Sequence, residues 1–168
     1  THTIMGTESD LGMIPRSVQQ IFNQADKLAK DQWKFVFRAS FLEIYNETVA
    51  DLLAGREKGG RHGKSDIYHI YYDPAVNESR VEGLTVVDVA DAGSANALIA
   101  KAMKNRSTAA TKSNSQSSRS HSVFRMYIEG TNPSSGQTLK GILNMVDLAG
   151  SERIKVSGAE GDRLKETK

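Results

Sequence analysis

Apolar residues recur along this chain at two spacings, and the alternation between them outlines the fold. In "LGMIPRSVQQIFNQADKLAK", Leu11, Ile14, Val18, Ile21, Phe22, Ala25 and Leu28 fall three to four residues apart, which predicts a helix with one buried face. Pro15 suits its first turn. In "QWKFVFRASFLEIYNE" the spacing drops to two: Trp33, Phe35, Phe37, Ala39 and Phe41 share one face, while Val36, Leu42 and Ile44 add apolar groups to the other. Its length and its apolarity on both faces predict a long central strand. "TVADLL" reads as a short helical turn, "AGREKGGRHGKS" as an exposed loop, and "DIYHIYYD" and "VEGLTVVDVA" as a second and a third strand. "DAGSANALIAKAMKNRSTAAT" opens with capping residues and places Ala95, Leu98, Ile99, Ala102 and Met103 along one helical face. Finally, "HSVFRMYIEG" and "TLKGILNMVDLAG" are strands separated by the turn sequence "TNPSSGQ", so they should form an antiparallel hairpin. Helices between strands put the chain in the α/β class, with a mixed sheet flanked by helices and no internal repeat.

Composition narrows the chemistry. The 168 residues match one ordinary domain, with 38% hydrophobic and 25% charged residues. The absence of cysteine excludes disulfides and thiolate metal sites, and His2, His62, His69 and His121 are too scattered for metal-ligand spacing. No apolar run approaches the roughly 18 residues of a membrane span. A soluble intracellular protein without a membrane or nucleic-acid partner is expected. The start at "THT" and the close on "GDRLKETK" suggest an internal piece of a longer protein. The net charge of +2 says little, but its distribution is uneven: Ala92 to Ile128 holds no acid, whereas Lys101, Lys104, Arg106, Lys112, Arg119 and Arg125 lie within it. An anion site or an acidic partner is one reading of that segment, and a solvated basic helix face is the plainer one.

The hairpin joins two polar stretches. Two strands of about ten residues return the chain to where it began, roughly 30 Å from the turn, so Ser117, Ser118 and Arg119 should face Asp147, Gly150 and Glu152. Asp147 closes the apolar strand "ILNMV" at its carboxyl edge, where phosphoryl-transfer sites place an acid that holds Mg²⁺ directly or through water. Gly150 lets its N–H approach an oxyanion, the serine hydroxyls are hard oxygen ligands, and Arg119 can pair with a carboxylate or a phosphate. A phosphate-cradling loop ending in Lys and Ser/Thr is not found within the chain; Thr1 could be the last hydroxyl residue of one.

These residues carry a family resemblance. "NSQSSRSH" resembles the kinesin switch I motif NxxSSRSH, and "DLAGSE" is similar to the kinesin switch II motif, unaltered. "THTIMG", "GMIPRSVQQIF", "FLEIYNETVADLL" and "SGAEGDRLKETK" resemble the segments around them, and "NRSTAATKSNSQSSRSHSVF" is most similar to the C-terminal-motor, minus-end-directed subfamily. The resemblance implies a partial P-loop NTPase motor fold over 1–168, from the end of the phosphate-binding loop to the start of the helix after switch II. It implies ATP and Mg²⁺ as cofactors: Thr1, Ser118 and Asp147 toward the metal; Asn114, Ser117, Ser118 and Gly150 toward the nucleotide. Arg119 and Glu152 would form a latch that positions the attacking water, and Arg106 would be an ion-pair partner of the switch region. Microtubules are the implied partner, with Arg153, Lys155, Arg163 and Lys165 as tubulin contacts. A dimer through a coiled coil outside the segment, and a place on the microtubule cytoskeleton of the cytoplasm, spindle included, complete the expectation. The segment alone should hydrolyse ATP poorly. Two other readings compete: a non-catalytic microtubule-binding or regulatory protein with a motor-like fold, and another Mg-nucleotide switch protein.

Overall fold

The structure is a computed structural model that describes residues 2–7, 9–54, 68–75, 77–110 and 119–150. A short helix, α1 (His2–Met5), leads through a tight loop into α2 (Met13–Ala29). The loop closes with Gly6 paired to Leu11, and Gly6 has φ +74°. A Cβ at Gly6 would lie 2.1 Å from the Gly12 nitrogen, so only glycine fits there. Helix α2 buries Ile14, Pro15, Val18, Phe22 and Ala25, the face that the apolar spacing predicted. Beyond its end, Gln32 has a φ of 66°, and the Trp33 N–H reaches back to the Leu28 carbonyl at 3.2 Å.

Strand β1 (Lys34–Tyr45) is the centre of a five-stranded sheet. Along one edge it pairs with β6 (His121–Asn132) from Lys34↔Thr131 to Ile44↔His121, and β6 pairs in turn with β7 (Gln137–Asp147). Its other edge is shared by β2 (Thr48–Asp51) and the three-residue β5 (Val87–Val89). A separate two-stranded ribbon, β3 (Ile70–Asp73) with β4 (Glu78–Val81), is tied to β6 by Arg125, which donates to the Ser79 carbonyl at 2.8 Å. All these pairings are antiparallel. Helix α3 (Ala92–Ala110) follows β5. Its first turn is closed by a reciprocal cap: the Ser94 N–H donates to Asp91 Oδ1 at 2.6 Å, and the Asp91 N–H to Ser94 Oγ at 3.0 Å. The Ser94 N–H holds the Asp91 carboxyl below the usual carboxylate range.

Both long helices pack on one face of the sheet. Ile14, Val18 and Phe22 of α2 and Ala95, Ile99 and Ala102 of α3 meet Phe37, Ala39, Phe41, Phe124 and Met126 in a single core. Phe41 and Phe124, paired across β1 and β6, meet edge to face at 5.6 Å. On the opposite face the β3–β4 ribbon reaches the sheet through Arg125, which pairs with Glu78, while Val36, Ile142 and Val146 are exposed and Arg38 pairs with Glu129.

Two expected elements differ. "TVADLL" was expected to be helical, but Thr48–Asp51 is strand β2. Asn46 and Glu47 both adopt positive φ, 48° and 59°, and make a two-residue hairpin turn that sends the β-branched Thr48 and Val49 back along β1. Asp51 then ends the strand, accepting from the N–H groups of Leu53, Ala54 and Thr85. The strand expected over "VEGLTVVDVA" is two pieces, the end of β4 and β5, separated by a turn in which Gly83 has φ +76°. The expected hairpin is present with a tighter turn, Pro133 to Gly136, so both strands run further than their hydrophobic pattern suggested. The loop expected over 54–65 lies, from Gly55 on, outside the described residues.

Candidate functional site

At the open end of the β6–β7 hairpin, three strands present polar residues to the helix face. Glu43 on β1 pairs with Ser122 on β6, and Ser122 pairs with Asp147 at the end of β7. The three form a row across the sheet, continuing the face that carries Phe41 and Phe124. All are buried: Glu43 and Ser122 are 2% exposed and Asp147 6%. Two carboxylates so deeply placed need compensation, because an unpaired buried charge is costly.

Arg106 supplies it. It continues the buried stripe of α3, lying four residues after Ala102 and seven after Ile99, and it is 3% exposed. Its Nε donates to Glu43 Oε1 at 3.1 Å, its Nη1 lies 3.4 Å from Asp147 Oδ2, and its Nη2 donates to the Ser120 carbonyl at 3.3 Å and to Ser120 Oγ at 3.1 Å. Ser120 Oγ donates in turn to Glu43 Oε1 at 2.6 Å. One guanidinium therefore joins α3, β1, the approach to β6 and the end of β7, using the fork of donors that distinguishes arginine from lysine. A second link runs between the two chain segments: the Ala149 N–H donates to His121 Nδ1 at 3.0 Å.

Several expected site residues can be placed. Arg119 is half-buried beside Ser120, Asp147 is in the charged network, and Gly150 is exposed just beyond β7. The hairpin brings the two polar stretches together as strand lengths implied, since Ser120 and Asp147 share one arginine and His121 touches Ala149. Arg106 pairs with Asp147, in keeping with its implied role. Thr1, Asn114, Ser117, Ser118, Glu152, Arg153, Lys155, Arg163 and Lys165 lie outside the described residues.

Glu43 and Ser120 were not singled out in the sequence. The signal for Glu43 was present: it is a lone acid inside "FLEIY", in a strand apolar on both faces, where a charge must have a partner. Ser120 was hidden among the other serines.

Asp147 suits a particular kind of metal site. Among the described residues no three His, Asp or Glu side chains gather into a metal-binding group. Mg²⁺ does not need one, since it is commonly held by one or two carboxylates together with phosphate oxygens and water. A hard carboxylate at a strand's carboxyl edge, oriented by an arginine, fits that role.

The comparisons with known proteins agree with this architecture. The chain matches the kinesin motor domain over residues 1–168. It is 44% identical to the kinesin-like protein KIN-14N of Oryza sativa subsp. japonica, over 99% of this chain and 22% of the relative. Among solved structures, it is similar to the C-terminal motor and motor homology domain of Kar3Vik1 fused to a synthetic coiled coil, with 37% identity, a TM-score of 0.80, and coverage of 99% of this chain and 40% of that one. It also resembles a KIF14 dimer bound with AMP-PNP to a microtubule, with 34% identity, a TM-score of 0.80, and coverage of 99% and 46%. The chain thus spans less than half the length of these proteins, and KIN-14 and Kar3-like proteins are among its relatives. With switch-like stretches at one end of a helix-packed sheet, joined there by a buried arginine, the chain belongs to the kinesin motor domain family.

Proposed function

We propose that this chain is the part of an ATP-driven microtubule motor that senses the γ-phosphate and relays its presence to the rest of the motor. The observation that carries the reading is Arg106, which contacts both Ser120, within the switch I motif, and Asp147, at the head of switch II. A bound Mg²⁺–ATP supplies the transferable phosphoryl group and the charge that neutralises it. Thr1, Ser118 and Asp147 are the residues we assign toward the metal, and Asn114, Ser117, Ser118 and Gly150 toward the nucleotide. Arg119 and Glu152 would pair when the switches close, holding the attacking water in line. The worth of that pair lies in switching: an exposed pair contributes roughly 0 to 1 kcal/mol, but one formed in a single nucleotide state biases a two-state element.

Arg153, Lys155, Arg163 and Lys165 are assigned to the tubulin contact, a role supported by the likeness to a microtubule-bound neighbour. Movement toward the minus end, dimerisation through a coiled coil outside the segment and action on cytoplasmic microtubules, spindle included, belong to the same proposal, and the likeness to KIN-14 and Kar3-like proteins supports it.

The test uses the complete motor that contains this chain. Microtubules should strongly stimulate its ATP turnover, and Glu152→Ala should suppress turnover while leaving nucleotide binding largely intact. A complete protein that binds microtubules yet turns over no ATP would put the non-catalytic regulator in its place.

A further inference from the structure

We infer that His121 is a positioning residue of the phosphate site: its Nδ1 holds the peptide that precedes Gly150 and so sets where the Gly150 N–H points. This rests on the reading of Gly150 as a contact of the γ-phosphate. His121 is the last residue of the stretch that resembles switch I, and none of the metal, nucleotide or latch assignments uses its side chain.

The need for such a residue comes from where the sheet stops. The ladder between β6 and β7 ends at Ser122↔Asp147, so Leu148, Ala149 and Gly150 run beyond the pairing that fixes the backbone up to Asp147. His121, one residue before Ser122, is still anchored, because it pairs with Ile44 near the end of β1. Its side chain reaches past the end of the ladder and accepts the Ala149 N–H on Nδ1 at 3.0 Å, standing in for a ladder bond. Leu148 is 68% exposed, so its side chain does little to hold the segment, which gives the His121 bond its weight.

An imidazole nitrogen that accepts must keep its lone pair free, so the ring proton sits on Nε2 and Nδ1 offers one directed acceptor. Peptide groups are planar. Fixing the Ala149 N–H therefore fixes the peptide between Leu148 and Ala149, and only the φ and ψ of Ala149 separate that plane from the Gly150 N–H. A donor aimed before the nucleotide arrives needs no reorganisation when the phosphate binds. The benefit falls on the terminal phosphate, which a diphosphate lacks. His121 thus adds to the discrimination between triphosphate and diphosphate rather than to nucleotide affinity in general.

The test compares two substitutions of like shape in the complete motor. Asparagine carries Oδ1 as many bonds from Cα as histidine carries Nδ1, so it keeps the acceptor, whereas leucine puts a methyl group there. Affinities for Mg²⁺–ADP and for the non-hydrolysable analogue Mg²⁺–AMP-PNP are measured by displacement of a fluorescent nucleotide, with thermal melts alongside. His121→Leu should weaken AMP-PNP binding by about tenfold relative to ADP, the scale of one well-placed hydrogen bond, and His121→Asn should stay within about twofold of the wild-type ratio. An unchanged ratio in folded His121→Leu would overturn the role, and so would an equal loss in His121→Asn, which would mean that the ring packs rather than accepts. If His121→Leu does not fold, His121→Gln decides, since its amide is polar but lies one bond too far out: a loss on the same scale supports the role, and the wild-type ratio overturns it. A wild-type motor that binds neither nucleotide would instead remove the reading of Gly150, and the role of His121 with it.

Discussion

The two ends of the β6–β7 hairpin are held by different physics. At the turn, Asn132 does the work with neutral bonds: its Oδ1 accepts from the Ser134 and Ser135 N–H groups at 3.0 and 3.1 Å, and its Nδ2 donates to the Asp31 carbonyl at 2.8 Å. Gly136, with φ +68°, returns its N–H to the Asn132 carbonyl at 2.9 Å. At the open end, three buried ionised groups, Glu43, Arg106 and Asp147, share bonds drawn from four elements. Backbone-directed bonds of the first kind have one good arrangement. A guanidinium between two buried carboxylates ties the arrangement of each charge to the other. The turn is thus anchored by backbone-directed bonds, and the open end by shared charge.

The comparison can be broken at either end. The largest effect is expected from Arg106→Ala, which removes the cation shared by two buried carboxylates and should cost about 3 to 5 kcal/mol of stability in denaturant unfolding. Adding Glu43→Gln to it should recover part of that loss, because one of the two buried negative charges is removed. A cost for Arg106→Ala no larger than that of a surface substitution would erase the distinction between the ends. Asn132→Ala comes next, at about 1 to 3 kcal/mol, since it strips the turn of acceptors in a half-closed setting. Its signature should be unchanged Mg²⁺ dependence in the complete motor, and a shifted dependence would mean that the turn is coupled to the site.

The smallest effect belongs to Asp91, which caps the helix that delivers Arg106. Its carboxyl is held below the usual carboxylate range by the Ser94 N–H. Its stabilising contribution is therefore complete above the pKa of an unfolded aspartate and is lost as pH falls through the lower folded value. Asp91→Asn should flatten the acid side of the stability profile slightly, as read by thermal melts across that range. A profile identical to wild type would show that the cap adds nothing to holding α3 in place.

Much of the fold was legible because it depends on local period. The face of α2, the length and centrality of β1 and the antiparallel hairpin all follow from spacings of three to four or of two. Misreadings arose where a few residues made a turn that the hydrophobic pattern does not encode. Asn46 and Glu47 converted an expected helical turn into β2, and Gly83 divided one expected strand into two. The site was legible by motif at Asp147 and Arg119, but Glu43 and Arg106 stand 63 positions apart in the chain, and no local pattern states that they meet.

The sequence by itself determined the two long helices, the long central strand, the hairpin that brings two polar stretches together, and the motifs that mark the family, because side-chain period and motif spacing are properties of neighbours along the chain. Only the tertiary structure decided that Glu43, Ser120 and Asp147 share one arginine. Burial at the meeting of α3 with three strands makes each of those charges depend on the others, and it arises when distant segments exclude water from the same point.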